Sequence, residues 1–283
     1  MSVEPPFRSA LIAGLGLIGG SLARDLVARG VKVIGYDRDA ETMKSAEGEG
    51  IIADRGNPDA TDVIILAMPV TQTLWLIENM ASKFSAAELV TDVCSTKASV
   101  VQAAEKAGLP NFVGTHPMAG DHRSGWSASR CGLFTGARSY ICPTRLSHAS
   151  AITLAEKLWE CVGAQPERID AAAHDREVAW TSHLPHAVSA ALATTLATAQ
   201  ITRDRLGPGG RDVTRLAGAN PELWTGIALD NSEELATAID ELQSRLSELR
   251  KALGDRDRAT VQRQFGNARD WFDDRAPKAQ RTR

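Results

Sequence analysis

Residues 9–38 run SALIAGLGLIGGSLARDLVARGVKVIGYDR, an order of elements that restricts the fold more than any other feature of the chain. An apolar run, Ala10 to Ala13, has the character of a buried parallel strand. Gly14-x-Gly16-x-x-Gly19 opens a helical stretch, and Val31 to Tyr36 supplies a second strand that ends on Asp37. Gly14 permits a tight turn from strand to helix, Gly16 lets the backbone approach a pyrophosphate, and Gly19 lets the helix pack closely on the strand. The exposed amides at the helix start, around Leu17 and Ile18, then hold the phosphate charge. The setting makes this a dinucleotide-binding fingerprint and predicts a doubly wound α/β fold with a parallel Rossmann sheet.

Asp37 decides which dinucleotide. A carboxylate at the end of the second strand accepts the ribose hydroxyls of NAD and repels the 2′-phosphate of NADP. Arg38 pulls the other way, since a guanidinium can pair with that phosphate. NAD is the expected cofactor, with NADP use open and Arg38 either over the adenine or facing water. Pro69, just beyond the third expected strand, belongs to the same cofactor-binding edge.

The 283 residues carry a formal net charge of −3, with 43% hydrophobic and 24% charged positions, which fits a soluble protein of two domains. No run reaches the roughly 18 apolar residues of a membrane span. Residues 1–6 lack a basic-then-apolar leader pattern, so a cytoplasmic location is expected. Cys94, Cys131, Cys142 and Cys161 have neither zinc-site nor disulfide-framework spacing. The slightly acidic balance, with no basic stripe, argues against a nucleic-acid partner.

Further strands are expected at Val63 to Ala67, Leu89 to Asp92, Phe112 to Gly114 and Ser139 to Cys142. Helices are expected at Thr71 to Lys83, Lys97 to Ala107 and His148 to Cys161. From about Asp170 strands give way to Ala/Leu-rich helical segments. Residues 1–168 therefore read as the dinucleotide-binding domain and 169–283 as an all-α domain for substrate and dimerisation. Within it Leu235, Ile239, Leu242, Leu246, Leu249 and Leu253 recur at alternating intervals of four and three, on a helix that Asn231 can cap and Gly254 can end. Six such side chains represent roughly 9–18 kcal/mol of gross burial. The chain can use them in its own core or as the seam of a homodimer.

Reacting groups in such a fold gather beyond the carboxyl ends of the strands. Two segments reach that edge, Asp92-Val-Cys-Ser-Thr-Lys97 and Thr115-His-Pro-Met-Ala-Gly120. Ser95 can bond an imidazole or simply cap a helix starting at Thr96. His116 can remove a hydroxyl proton as hydride leaves the same carbon, or be a structural loop histidine. In Ser182-His-Leu-Pro-His186, Pro185 must bend a helix or free a carbonyl, and His183 and His186 share one helix face. No third ligand at suitable spacing supports a metal site there. Arg215, in Gly209-Gly-Arg-Asp-Val-Thr-Arg215, can grip a carboxylate or join a surface ion pair. His174-Asp175 reads as a helix-cap pair and Trp224, taken alone, as core.

Taken together these motifs resemble the prephenate and arogenate dehydrogenases of tyrosine biosynthesis. The resemblance runs through Gly14–Ser21, Asp92–Lys97, Thr115–Gly120, Ser182–His186 and Arg211-Asp-Val-Thr-Arg215 with Asn220-Pro-Glu-Leu-Trp224. It implies that His116 is the catalytic histidine, with Ser95 its partner beside the nicotinamide. It implies also that Arg215 anchors a substrate carboxylate, that His186 and Trp224 line the substrate pocket, and that Asp212 supports it. Some relatives carry Thr-Glu where this chain has Asp121-His122, so Asp121 stands where an acidic pocket residue is expected, its role open. The implied activity is NAD-dependent oxidative decarboxylation of prephenate, with arogenate use or dual use as alternatives. Two rivals share only part of the pattern. A β-hydroxyacid dehydrogenase needs a catalytic lysine, and residues 170–200 hold none. An NAD-sensing regulator has no use for His116 and Arg215.

Overall fold

The computed structural model describes residues 4–53, 61–120 and 123–273. Contacts divide the chain into two compact units, Met1–Ser232 and Glu233–Arg283. The first is built on a seven-stranded sheet of order β2-β1-β3-β4-β5-β6-β7. Its strands are β1 (Ser9–Ala13), β2 (Lys32–Tyr36), β3 (Val63–Leu66), β4 (Leu89–Asp92), β5 (Phe112–Pro117), β6 (Arg138–Pro143) and β7 (Gln165–Arg168). Alternate side chains of the central strands feed two separate cores, one on each face. Ile12 and Ile65 join Leu22, Phe134, Leu158 and Trp159 on one side, while Ile64 and Leu66 join Ile77, Phe84, Val100 and Phe112 on the other.

The helices follow in register: α1 (Leu17–Val27), α2 (Ala40–Gly48), α3 (Val70–Phe84), α4 (Ala98–Lys106) and α5 (Ala149–Cys161). The doubly wound, mostly parallel sheet is as expected, with one reversal of strand direction. β1 to β5 are parallel, but β6 runs antiparallel to β5, with His116 opposite Tyr140, and β7 runs parallel to β6. The reason is the connection. A parallel return needs a crossover of a dozen or more residues, usually helical, and between β5 and β6 the described residues form only a 3-10 turn, Trp126–Ala128. β7 was not expected, because its sequence, Gln-Pro-Glu-Arg, carries no apolar signal.

The remainder of the first unit is helical: α6 (Ala171–Val178), α7 (Leu184–Thr198), α8 (Pro208–Val213) and α9 (Pro221–Asp230). Between α6 and α7 the chain widens into one π-helical turn, Ala179–His183. Pro185, in the first turn of α7, has no amide to donate, and the wider turn accommodates this without ending the helical path.

In the second unit, α10 (Ser232–Gly254) is followed by α11 (Arg258–Phe272). Of the leucine stripe, Leu235 is buried, whereas Leu246 and Leu253 are 56% and 59% exposed. Phe265, Trp271 and Phe272 on α11 are exposed as well. Asn231 does not serve as expected: its amide donates to the Asp175 carbonyl and to His183. No helix among the described residues is long and apolar enough to cross a membrane.

Candidate active site

The glycine-rich turn has the shape its sequence requires. Gly14 lies at φ +97°, and a Cβ there would meet the Ala67 carbonyl oxygen at 2.3 Å. A Cβ on Gly19 would lie 1.9 Å from the Gly14 carbonyl oxygen, so the helix approaches the turn as closely as backbone allows. A Cβ on Gly16 would meet nothing within 4 Å, which marks the side from which a ligand reaches the backbone. Gly16 precedes α1 without a side-chain cap, leaving the amides of the first turn for an anion. Asp37 ends the strand as expected, and its carboxylate accepts the Leu15 and Asp39 amides. Arg38 is exposed and makes no ion pair among the described residues. Pro69 stands at the N-terminus of α3, just past β3. The open glycine, the uncapped start of α1 and the Asp37 carboxylate thus lie together at the carboxyl ends of β1 and β2.

His116 is not in a loop: β5 extends to Pro117, and pairing with β6 fixes the histidine on the strand. It is 7% exposed. Burial, followed by the neighbouring His174, Lys97 and His183, holds its imidazole well below the ordinary histidine range. At neutral pH it is therefore an uncharged base. Its Nδ1 lies 2.9 Å from His174 Nε2, and His174 Nδ1 lies 2.7 Å from Asp175 Oδ1. The Tyr140 ring stands edge-on to His174, with centroids 5.1 Å apart.

The expectation that His174-Asp175 caps its own helix is corrected here. Asp170 caps α6, accepting the Ala172 and Ala173 amides. Asp175 instead accepts the amides of Lys97 and Ala98, both at 2.8 Å, and so caps α4 across 78 and 77 residues of sequence. The cap role considered for Ser95 is thus filled by Asp175, and α4 begins at Ala98. Ser95, half-buried at the end of β4, makes no hydrogen bond to His116, whose ring partner is His174.

Sequence reasoning also passed over a fully buried ion pair beside this cluster. Lys97 Nζ binds Asp92 Oδ2, and both side chains are 0% exposed. Burial alone would lower the Lys97 ammonium, but the Asp92 carboxylate overrides it and the net shift is upward. Asp92 also accepts the Cys94 amide at 2.9 Å and the Thr115 amide at 3.3 Å. It thereby joins the end of β4 to the start of the His116 segment. The signal was present: a carboxylate and an ammonium five residues apart, just past an apolar strand.

The helical part of this unit gathers the other expected residues. His186 stacks on Trp224, with centroids 3.5 Å apart and planes at 21°, so Trp224 is not simply core. His186 Nδ1 faces the Ser182 carbonyl at 3.0 Å. Burial lowers its pKa, the Ser182 bond opposes this, and the nearby Arg215 charge lowers it further. Arg215 opens a 3-10 turn, Arg215–Gly218, held to α7 by the Ala217 amide donating to Ser189. The guanidinium is exposed and makes no ion pair among the described residues, which removes the surface salt-bridge reading. It lies on the wall of a cavity of 640 Å³ with Leu196, Ile201 and Leu206. Asp212 is exposed on α8. Asp121 and His122 lie outside the described residues. His183, 1% exposed, stands beside the His186–Trp224 ring pair, edge-on to Trp224 with centroids 6.0 Å apart, and its Nδ1 meets the Asn231 amide at 3.2 Å. A larger cavity of 820 Å³, lined by Glu88, Leu109, Asn111 and His148, lies at the amino ends of β4 and β5, the edge opposite the glycine-rich turn.

Comparison with known proteins gives the same assignment. Residues 22–167 match the family model described as prephenate dehydrogenase, nucleotide-binding domain, and residues 170–267 match prephenate dehydrogenase, dimerization domain. The prephenate dehydrogenase of Bacillus subtilis is 33% identical over 278 residues, covering 93% of this chain and 75% of the relative. A crystal structure of the prephenate dehydrogenase of A. aeolicus, in complex with hydroxyphenyl propionate and NAD+, superposes with a TM-score of 0.85 at 29% identity, covering 93% and 96% of the two chains. The arogenate dehydrogenase of Synechocystis gives a TM-score of 0.79 at 28% identity, covering 95% and 100%. With a buried imidazole base at the carboxyl edge of a dinucleotide-binding sheet and both family domains matched in order, this chain is a member of the prephenate dehydrogenase family.

Proposed function

We propose that the chain catalyses the NAD-dependent oxidation and decarboxylation of prephenate to 4-hydroxyphenylpyruvate. The observation that carries the reading is His116, an uncharged, buried base held on β5 of the dinucleotide-binding sheet. The cradle of Gly14, Gly16, Leu17, Ile18, Gly19 and Asp37, with Arg38 and Pro69 at its rim, holds the cofactor. Bound NAD supplies the hydride acceptor. His116 takes the proton of the ring hydroxyl: the O–H bond breaks, an N–H bond forms, and the oxygen lone pair closes a carbonyl as hydride leaves the same carbon. The ring carboxylate then departs as CO2, and its bonding pair aromatises the ring, placing charge on the former hydroxyl oxygen. His116 returns its proton there. Aromatisation supplies the driving force.

Ser95, at the end of β4, is assigned to the same hydroxyl and the nicotinamide edge. Arg215 anchors a substrate carboxylate, a role supported by its exposed guanidinium, which makes no ion pair among the described residues. His186 and Trp224 line the pocket for the side chain, with Asp212 in support and Asp121 at its acidic position. Residues 1–168 serve the cofactor, and 169–283 serve substrate and dimerisation. Two copies pair through the helical region, a reading supported by the exposed Leu246, Leu253 and α11 aromatics.

One observation favours arogenate as a second substrate. Ser182 O can only accept, so His186 donates through Nδ1 and presents Nε2 as an acceptor, which suits an ammonium. Steady-state rates with prephenate and arogenate, each with NAD and NADP, test the reading. The highest kcat/KM is expected for prephenate with NAD, and no turnover of prephenate would remove the assignment.

A further inference from the structure

The proposed role of His116 leaves open how a buried histidine is kept both correctly protonated and basic enough to work. Neutral imidazole has two tautomers, and only one leaves a given nitrogen free. The bonds around His116 select between them in two steps. Asp175 Oδ1 already accepts the Lys97 amide, and as a carboxylate oxygen it can only accept again, so His174 carries its proton on Nδ1. Neutral His174 then has a bare Nε2, which accepts from His116 Nδ1 at 2.9 Å. That leaves Nε2 of His116 as the lone pair. The opposite order would make His174 doubly protonated, a charged ring at 0% exposure, close to His116 and the buried Lys97 ammonium.

We propose that His174 and Asp175 are positioning residues that act through His116, fixing its Nε2 as the proton acceptor and holding a compensating negative charge behind the imidazolium formed when the substrate hydroxyl is deprotonated. The inference rests on the assignment of His116 as base. The surroundings support it. The groups facing His116 are His174 and Asp175 from α6, Lys97 with Asp92 at the end of β4, His183 from the π turn and Tyr140 from β6. Lys97, although paired with Asp92, and the histidines all oppose a new positive charge on His116. Asp175 is the anion in line with the imidazole, two bonds away. Asp175 is itself held by the amides of Lys97 and Ala98 and, through its backbone carbonyl, by Asn231. The carboxylate thus has a fixed direction, which a tautomer-setting group requires.

Two measurements test the proposal. The first is nitrogen-15 NMR of histidine-labelled enzyme without substrate, the His116 signals being identified by their loss in His116→Gln. Wild type is expected to show a protonated Nδ1 and an unprotonated Nε2 on His116, and Asp175→Asn to populate the opposite tautomer. The second is the pH dependence of kcat and kcat/KM in Asp175→Asn, His174→Phe and His174→Gln. Asp175→Asn should lower kcat by about 10²–10⁴-fold and move the acid limb to lower pH, because the imidazolium loses its counter-charge, and His174→Phe should lower kcat by a similar factor because His116 Nδ1 loses its acceptor. The Gln carbonyl can still accept from His116 Nδ1, so His174→Gln should retain more activity than His174→Phe. A merely structural role would lower thermal stability without moving the tautomer or the limb. The proposal is overturned if wild-type His116 carries its proton on Nε2, or if Asp175→Asn folds, binds NAD and keeps the wild-type tautomer. If the enzyme instead fails to oxidise prephenate while the tautomer behaves as expected, the substrate assignment is at fault and not the relay.

Discussion

Replacing Lys97 by Met leaves Asp92 as a buried carboxylate without its counter-charge. Both side chains are 0% exposed, and Asp92 would retain only the Cys94 and Thr115 amides as partners. Breaking a buried pair from one side typically costs about 3–5 kcal/mol, because the remaining charge stays desolvated. Against a total stability of about 5–15 kcal/mol this is a large fraction. Removing both charges in Asp92→Asn/Lys97→Met should restore most of the loss, since the methionine fills the space of the lysine stem and no unpaired charge remains. The assay is urea unfolding of the three variants, Lys97→Met, Asp92→Asn and the double, followed by circular dichroism. Activity gives a second readout, since the Lys97 charge helps to hold His116 low. In Lys97→Met the acid limb of kcat/KM should therefore move upward. A single-variant loss below about 1 kcal/mol, or a double variant as unstable as Lys97→Met, would refute the claim that the pair is a mutually dependent buried ion pair.

His116→Ala should lower kcat by about 10²–10⁴-fold, and the wild-type plateau of kcat/KM should extend below the free histidine pKa of about 6.5 before activity falls on acidification; an unchanged kcat in single-turnover measurements removes His116 from the mechanism. Asp37→Ser should improve kcat/KM with NADP, because it removes repulsion while Arg38 remains to pair with the phosphate; wild-type preference for NADP would show that Arg38 governs the ribose. Arg215→Ala should cost about 2–5 kcal/mol in kcat/KM, roughly 30- to several-thousand-fold, for prephenate and arogenate alike while NAD affinity is preserved; full activity on both would leave the anchor role to Arg211. Burial pushes His183 down to about 4, against about 6.5 unfolded, so its neutral form contributes about 3 kcal/mol that is present above pH 6.5 and lost as pH falls toward 4. The measurement is urea unfolding at pH 7 and pH 4, where His183→Gln should lose less stability than wild type between the two.

The first βαβ unit was legible in the sequence because everything it needs is local. The turn glycines, the apolar strands and Asp37 lie within 30 residues, and each has a backbone or charge requirement that few other residues meet. His116, His186 and Trp224 were singled out by motifs, and the structure brings the last two together in a ring stack. The His174–Asp175 relay was not. Its meaning comes from partners 58 and 78 residues away, and an adjacent His-Asp near a helix start resembles a cap. The misleading clue could have been weighed against Asp170, which was already placed to cap α6. The antiparallel β6 escaped for a similar reason: its residues read like any buried strand, and direction is set by a connection that holds only a 3-10 turn among the described residues. Asn231 was read as a local cap because nothing in its neighbours announces that its amide reaches Asp175 and His183.

The central claim, that this chain couples hydride transfer from prephenate to loss of its ring carboxylate, is tested most directly by product stoichiometry. Purified enzyme with limiting prephenate and excess NAD should yield one NADH, one CO2 and one 4-hydroxyphenylpyruvate for each prephenate consumed. NADH formed without CO2, or no NADH at all, would contradict it.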